Sequence, residues 1–365
     1  MQPDRAGATV TALFDSTEVD MRVVIAVLAC LMCGGEVSAQ ALLHPTGSTT
    51  EPPPVAAAPA PRTRVPARSV DTTSGIFRSV VDLVSLAVIV TDVKDQFVTG
   101  LTQKDFAVYE DGVQQDLSFF AAANVPLDLA ILLDSSSSMS DKMSTVQQAA
   151  VGFASHLRQG DRIMVVGIKD SSRTLHPLDA DVNGASDAIR RATASGSTAL
   201  YNAVYTTIKQ MGKVRPVDGE VRRQAIAVLT DGDDTSSLVT FDDLLALSKQ
   251  AGIAIYTIAL KSPYPAIGLA SRKHFSEGEF AMKALARETG ARSFFPTDIT
   301  QLAGVYDQIT QELSNQYAIG YTSKNPRRDG AFRRIVVRVA ESNVRTRTRS
   351  GYQATTQSAQ ISLNR

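Results

Sequence analysis

Leu127-Asp128-Leu129-Ala130-Ile131-Leu132-Leu133-Asp134-Ser135-Ser136-Ser137-Ser138 decides how this sequence folds. The first seven residues are almost all apolar and lack the alternation of a strand with one wet face. Such runs belong to strands covered on both sides. The run stops at an acidic residue followed by serines. Ala225-Ile226-Ala227-Val228-Leu229-Thr230-Asp231-Gly232 repeats the design. Around these two, strand patterns at 162–168, 253–260 and 291–295, with an edge strand at 172–178, alternate with helical ones. The helices fall at 142–157, 182–194, 199–211 and 281–289, with one opened by Thr240-Phe241-Asp242-Asp243 and one capped by Asp298 and running to about Ser314. This alternation predicts an α/β fold, a doubly wound and mostly parallel sheet with helices on both faces.

Outside 124–315 the patterns are all β. Strands are expected at 80–90, 106–109 and 113–120, with Glu110-Asp111-Gly112 as a hairpin signal. Thr102-Gln103-Lys104-Asp105 reads as a capping box. After Asn315, strands are expected at 316–322, 331–340 and 343–350, the first two joined by Asn325-Pro326-Arg327-Arg328-Asp329-Gly330. Neither flank is large enough to stand alone. The economical expectation is one small β-sandwich-like unit, built from 76–123 and 316–352, into which the α/β region is inserted.

The chain has 365 residues, 44% hydrophobic and 20% charged, an ordinary globular balance. Lys+Arg and Asp+Glu are each 37, too neutral for a wholesale nucleic-acid binder. Met21-Arg22 precedes an apolar run to Cys33, and Val37-Ser38-Ala39 precedes Gln40. A basic start, a short apolar core and small residues at −3 and −1 describe a secretory signal peptide over 21–39 within a leader of 1–39. Its apolar run is too short for a comfortable membrane span, and the mature chain has no transmembrane segment. The two cysteines, Cys30 and Cys33, both lie in this leader, so the mature chain folds without disulfides. Ala29-Cys30 offers a weaker lipoprotein reading, and Met21 is the expected true start. Residues 40–75 are rich in Pro, Ala and Thr and form a linker. Residues 353–365 are a tail. The protein is expected in the periplasm or outside the cell.

In an open α/β sheet, ligands bind beyond the carboxyl ends of the strands, where the winding direction reverses. If the two serine- and aspartate-tipped strands are neighbours there, Asp134, Ser136, Ser138 and Asp231 converge. Thr198 joins them from Ser195-Gly196-Ser197-Thr198-Ala199, a loop that opens a helix. Hydroxyls and carboxylates, without sulfur or imidazole, select a hard divalent cation: Mg²⁺ first, with Mn²⁺ or Ca²⁺ as alternatives. So few carboxylates leave such an ion electrophilic, with room for a partner's carboxylate.

These residues resemble the metal-ion-dependent adhesion site of von Willebrand factor A domains, in Asp134-x-Ser136-x-Ser138, Thr198 and Thr230-Asp231-Gly232. The resemblance implies a central strand order of 3-2-1-4-5. It implies Ser136, Ser138 and Thr198 as direct ligands, with Asp134 and Asp231 acting mainly through water. Ser137 stands where the family's pattern often has glycine. The flanks, in Leu101–Gly112 and Tyr317–Phe332, are similar to the acidobacterial VWFA-related proteins, and the likeness covers about Val80 to Tyr352.

Other features have plainer readings. Asp233 and Asp234 could tune the site's charge or hold a second cation, or be solvated loop acids. Arg345, Arg347 and Arg349 share one strand face, as a basic patch for an anionic surface or an acidic partner, or as a solvated face or charged edge protection. Lys261–Gly278 reads as a long polar loop on the rim of the site. The four histidines, His44, His156, His176 and His274, make no triad with the serines, and no G-x-S-x-G elbow is present. The expectation is therefore no enzyme, but an exported protein that binds a protein or cell-envelope partner through the cation, without nucleic acid. An assembly component in which metal only stabilises the fold is the alternative, and a hydrolase the more distant one. The residues specify no oligomeric state.

Overall fold

The structure, a computed structural model, describes residues 83–122, 125–214, 220–231, 234–260 and 269–354, with side chains left aside at 269–277. The expected leader and linker, together with Gly232, Asp233 and the His274 side chain, lie outside the described residues, as does the expected tail from residue 355; Gln353 and Ala354, read as tail, belong to the last strand and the core beside it.

In chain order, β1 (Leu83–Asp92), β2 (Phe106–Glu110), β3 (Val113–Gln115) and β4 (Leu117–Ala122) come first. The α/β region follows with β5 (Leu127–Asp134), α1 (Met143–Ala154), β6 (Arg162–Ile168), β7 (Ser172–Asp179), α2 (Val182–Arg190) and α3 (Leu200–Met211). It continues with β8 (Arg223–Thr230), α4 (Phe241–Ala251), β9 (Ala254–Ala259), α5 (Leu269–Thr289), β10 (Ser293–Phe294) and α6 (Leu302–Ser314). The chain returns through β11 (Tyr317–Thr322), β12 (Phe332–Val339), β13 (Val344–Arg347) and β14 (Gly351–Gln353).

The α/β region builds a six-stranded sheet in the order β10-β9-β8-β5-β6-β7. Only β7, at the edge, runs antiparallel to its neighbour; the other pairings are parallel. Counted within the region, that order is 3-2-1-4-5 with a sixth strand added beyond the fifth. β5 is buried at every residue, and its side chains alternate between two cores. Leu129, Ile131 and Leu133 join Val146 and Phe153 of α1 and Ile309 of α6. Ala130 and Leu132 join Val204 and Ile208 of α3, Leu244 of α4 and Leu285 of α5. Helices on both faces explain why this strand carries no polar alternation.

The flanks form two four-stranded sheets, β13-β1-β11-β4 and β14-β12-β2-β3. They share one core, in which Leu86 and Val88 of β1 and Ile319 of β11 meet Val108 of β2 and Ile335 and Val337 of β12. N-terminal and C-terminal strands interleave: β11 lies between β1 and β4, and β12 pairs with β2. Ala122, the end of β4, lies opposite Tyr317, the start of β11. The inserted region therefore leaves and rejoins one sheet at adjacent points.

Several boundaries differ from the sequence reading. The run 113–120 is two strands, because the chain passes from one sheet to the other at Asp116. The segment read as a loop at Lys261–Gly278 is helical from Leu269. Past Pro265 it contains no proline, and one interior glycine costs a helix only about 1 kcal/mol. The stretch 343–350 holds a strand only to Arg347, and the helix expected to reach Ala194 ends at Arg190.

Candidate metal centre

β5 and β8 are direct neighbours at the sheet's switch point, so both carboxyl ends open onto the same crevice. Asp134 closes β5 and is fully buried. Its Oδ1 accepts a hydrogen bond from the Ser136 backbone N–H at 2.9 Å, and its Oδ2 accepts one from the Thr230 hydroxyl at 2.7 Å. The carboxylate thus staples the two strand ends together. Burial raises its pKa above the ordinary aspartate value; bonds from Ser136 and Thr230 oppose the rise, and the charge of Asp231 adds to it.

The serine loop follows as a single 3-10 turn, Ser137–Met139. Met139 is buried below it. The hydroxyls of Ser136 and Ser138 lie 3.0 Å apart. Ser138 Oγ donates to Asp231 Oδ1 at 2.9 Å, across the crevice. Ser137, where glycine was expected, is absent from the residues with positive φ, so the turn tolerates its side chain.

Thr198 reaches the rim through its loop. Ser137 N–H donates to the Gly196 carbonyl at 3.0 Å, and Ser195 N–H to the Ser135 carbonyl at 2.8 Å. Gly196 takes φ +80°, the left-handed region, to make that turn. On its other side the Thr198 carbonyl accepts from Thr235 and Ser236 N–H. Asp134, Ser136, Ser138 and Asp231 are therefore linked by direct hydrogen bonds. Thr198 is held beside them by backbone bonds, and no hydrogen bond joins its hydroxyl to the other four among the described residues.

Thr230 and Lys142 carried no role in the sequence reading, and Asp234 contributes differently from the roles considered for it. Thr230 stood inside the quoted Thr-Asp-Gly triplet. Asp234, half-buried, is engaged by the backbone of the neighbouring helix. Its Oδ1 accepts from Leu200 N–H at 3.0 Å and caps the first turn of α3. Burial raises its pKa, and bonds from Ser237 and Leu200 oppose the rise. Lys142, just before α1, places Nζ 2.8 Å from Asp231 Oδ2 and 3.1 Å from the Ser138 carbonyl. Nothing in its spacing marked it.

The donor set fits a hard divalent cation, with carboxylate and hydroxyl oxygens and neither thiol nor imidazole. Among the described residues no group of three or more His, Cys, Asp or Glu is placed to hold a metal. An ion bound here would depend on the hydroxyls. No helix among the described residues is long and apolar enough to cross a membrane.

Residues 128–308 match the family model of the von Willebrand factor type A domain. A UPF0353 protein of Mycolicibacterium paratuberculosis is 24% identical over 199 residues, covering 51% of this chain and 60% of that protein. This chain therefore spans less than two thirds of that relative's length. Among solved structures, a von Willebrand factor type A protein from Catenulispora acidiphila is 14% identical with a TM-score of 0.41, covering 74% of this chain and 73% of that one. Proximal thread matrix protein 1 from the mussel byssus, with a zinc-occupied MIDAS motif, is 15% identical with a TM-score of 0.43, covering 57% of this chain and 50% of that one.

Proposed function

This chain carries a von Willebrand factor type A domain over residues 128–308, and from that premise we propose that it binds a protein partner at the cell envelope through a divalent cation. Asp134, Ser136, Ser138, Thr198 and Asp231 would hold the ion, Mg²⁺ first among the candidates. The observation that carries this is the hydrogen bond from Ser138 to Asp231, which joins the tips of β5 and β8 over one crevice. Bound there, the cation would offer an exchangeable position to a carboxylate of the partner.

The chain's own residues prepare that position. Asp134 is fixed by Thr230 and Ser136, and the serine loop is fixed by backbone bonds to the 195–196 loop. These bonds hold the rim residues in place around the crevice. A leader ending at Ala39 would bring the domain to the periplasm or beyond. The site is assigned to binding and not to turnover. The described histidines engage other groups: His156 the Gly152 carbonyl and His176 the Asp179 carboxylate.

Titration calorimetry of the purified chain with Mg²⁺, beside Ser138→Ala, tests the site. The expected result is saturable binding in the parent, weakened at least about tenfold in the variant, the least that losing a group around a metal usually costs. Equal binding in both would remove Ser138 from the site. For the partner, capture from an envelope extract in Mg²⁺ followed by release in EDTA supports recognition through the ion. Retention in EDTA supports the assembly reading.

A further inference from the structure

The Lys142 ammonium occupies one oxygen of the carboxylate whose other oxygen receives the Ser138 hydroxyl. It also bonds the Ser138 carbonyl, so it bridges the two loops that form the crevice. The side chains of Lys142 and Asp231 are only 13% and 10% exposed. At that burial the pair is screened less than a surface ion pair.

We propose that Lys142 is a built-in competitor of the divalent cation, an assignment that rests on the cation reading above. An ammonium in contact with Asp231 repels a second cation approaching the same carboxylate. Ion entry therefore requires the lysine to leave. The site has two exclusive states, one capped by lysine and one loaded with the ion. Apparent affinity for the ion falls by the fraction of molecules in which the lysine is out of the way. The lysine also supplies the ion-free state with the positive charge that Asp231 requires, so the rim does not open when the ion is absent.

Calorimetric titration of the purified full chain with Mg²⁺ alone tests this, comparing the parent with Lys142→Met and Lys142→Arg. Methionine keeps an unbranched side chain and removes the charge; arginine keeps the charge. The expected result is about tenfold tighter Mg²⁺ binding in Lys142→Met and near-parental binding in Lys142→Arg. Melting temperature supplies a second readout and a folding control. Lys142→Met should melt below the parent in EDTA and recover in saturating Mg²⁺, giving a larger ion-dependent rise than the parent shows. Binding in Lys142→Met within twofold of the parent, or weaker, overturns the competitor role and leaves the cation site standing. Arginine behaving like methionine also overturns it, because charge would then not be the cause. Calorimetry silent in all three proteins overturns the cation site itself.

Discussion

Glu110 ends β2 inside the sandwich and is 2% exposed. It accepts hydrogen bonds from the Tyr321 hydroxyl at 2.8 Å, the Tyr352 hydroxyl at 3.0 Å and Arg333 at 3.0 Å, with Ser323 completing the set. Burial pushes its pKa up, but the bonds from Ser323, Tyr321, Arg333 and Tyr352 together outweigh burial, and the net shift is downward. A carboxyl with a lowered folded pKa contributes stability above its unfolded value, ordinarily 4.5, and loses it as pH falls through the lowered value. Thermal melts between neutral pH and pH 3 should therefore fall more steeply in the parent than in Glu110→Gln. Parallel curves would show that Glu110 does not titrate with folding. Glu110→Ala leaves the buried Arg333 charge without its carboxylate partner, with only Ser323 and the Asn325 and Arg327 carbonyls to accept from it, and should cost about 3 kcal/mol by chemical denaturation. At this scale the sequence exposed the metal candidates, because aspartate and serine after a buried strand have a recognisable order. It did not expose Lys142 or the Glu110 cluster. A lysine eight positions past Asp134 reaches Asp231 only once the serine turn has folded, and Glu110 meets Arg333 only across two paired strands.

Elements were most legible where their ends are written in local chemistry. Thr240 caps α4 by accepting from Asp243 N–H, and Gly252 ends that helix in the left-handed region. Thr102 and Asp105 form the expected box, and Asp111-Gly112 turns β2 into β3 with positive φ at both residues. Where the misreadings lie, no local signal exists. Alternation along 113–120 is the same whether a strand stays in one sheet or crosses to the other, and only tertiary pairing places the break at Asp116. A glycine beyond α5 carries the strongest prediction at this scale. Gly290 has φ +80°, and a Cβ there would lie 2.5 Å from the Thr348 carbonyl carbon and the Arg349 nitrogen. The end of α5 thus abuts the backbone that follows β13. Gly290→Ala combines left-handed strain with a backbone clash and should cost at least about 2 kcal/mol. The measurable consequence is a fall in Tm of at least about 4 °C. An unchanged Tm would mean that this contact relaxes freely.

At the scale of the molecule, the basic stripe expected on β13 is neither a patch nor a solvated face. Arg347 pairs with buried Glu312 of α6 at 2.6 Å and donates to the Gly290 carbonyl. Arg349 lies over the Tyr352 ring, and its buried Nε has no hydrogen-bond partner among the described residues. Only Arg345 stays exposed, 4.0 Å from Asp95. Alternation predicted a shared face but could not say that the face would meet the inserted α/β region. The sandwich nevertheless owes its core to its own strands, with Leu86, Val88, Val108, Ile319, Ile335 and Val337 packed between its two sheets. Arg347 would simply be hydrated if α6 were removed. Ala122 and Tyr317 lie directly opposite each other, which is the spacing that a two-residue Asn-Gly hairpin turn closes. Replacing residues 123–316 with Asn-Gly should therefore leave a folded sandwich from 76–122 and 317–354. Its far-UV circular dichroism should be that of β structure, with one cooperative melt. The midpoint should lie below the parent's, since a domain of this size buries a smaller share of its surface. A spectrum of unfolded chain would sink the idea of an independent sandwich. It would make the Arg347–Glu312 pair and the Gly290 contact conditions for its folding.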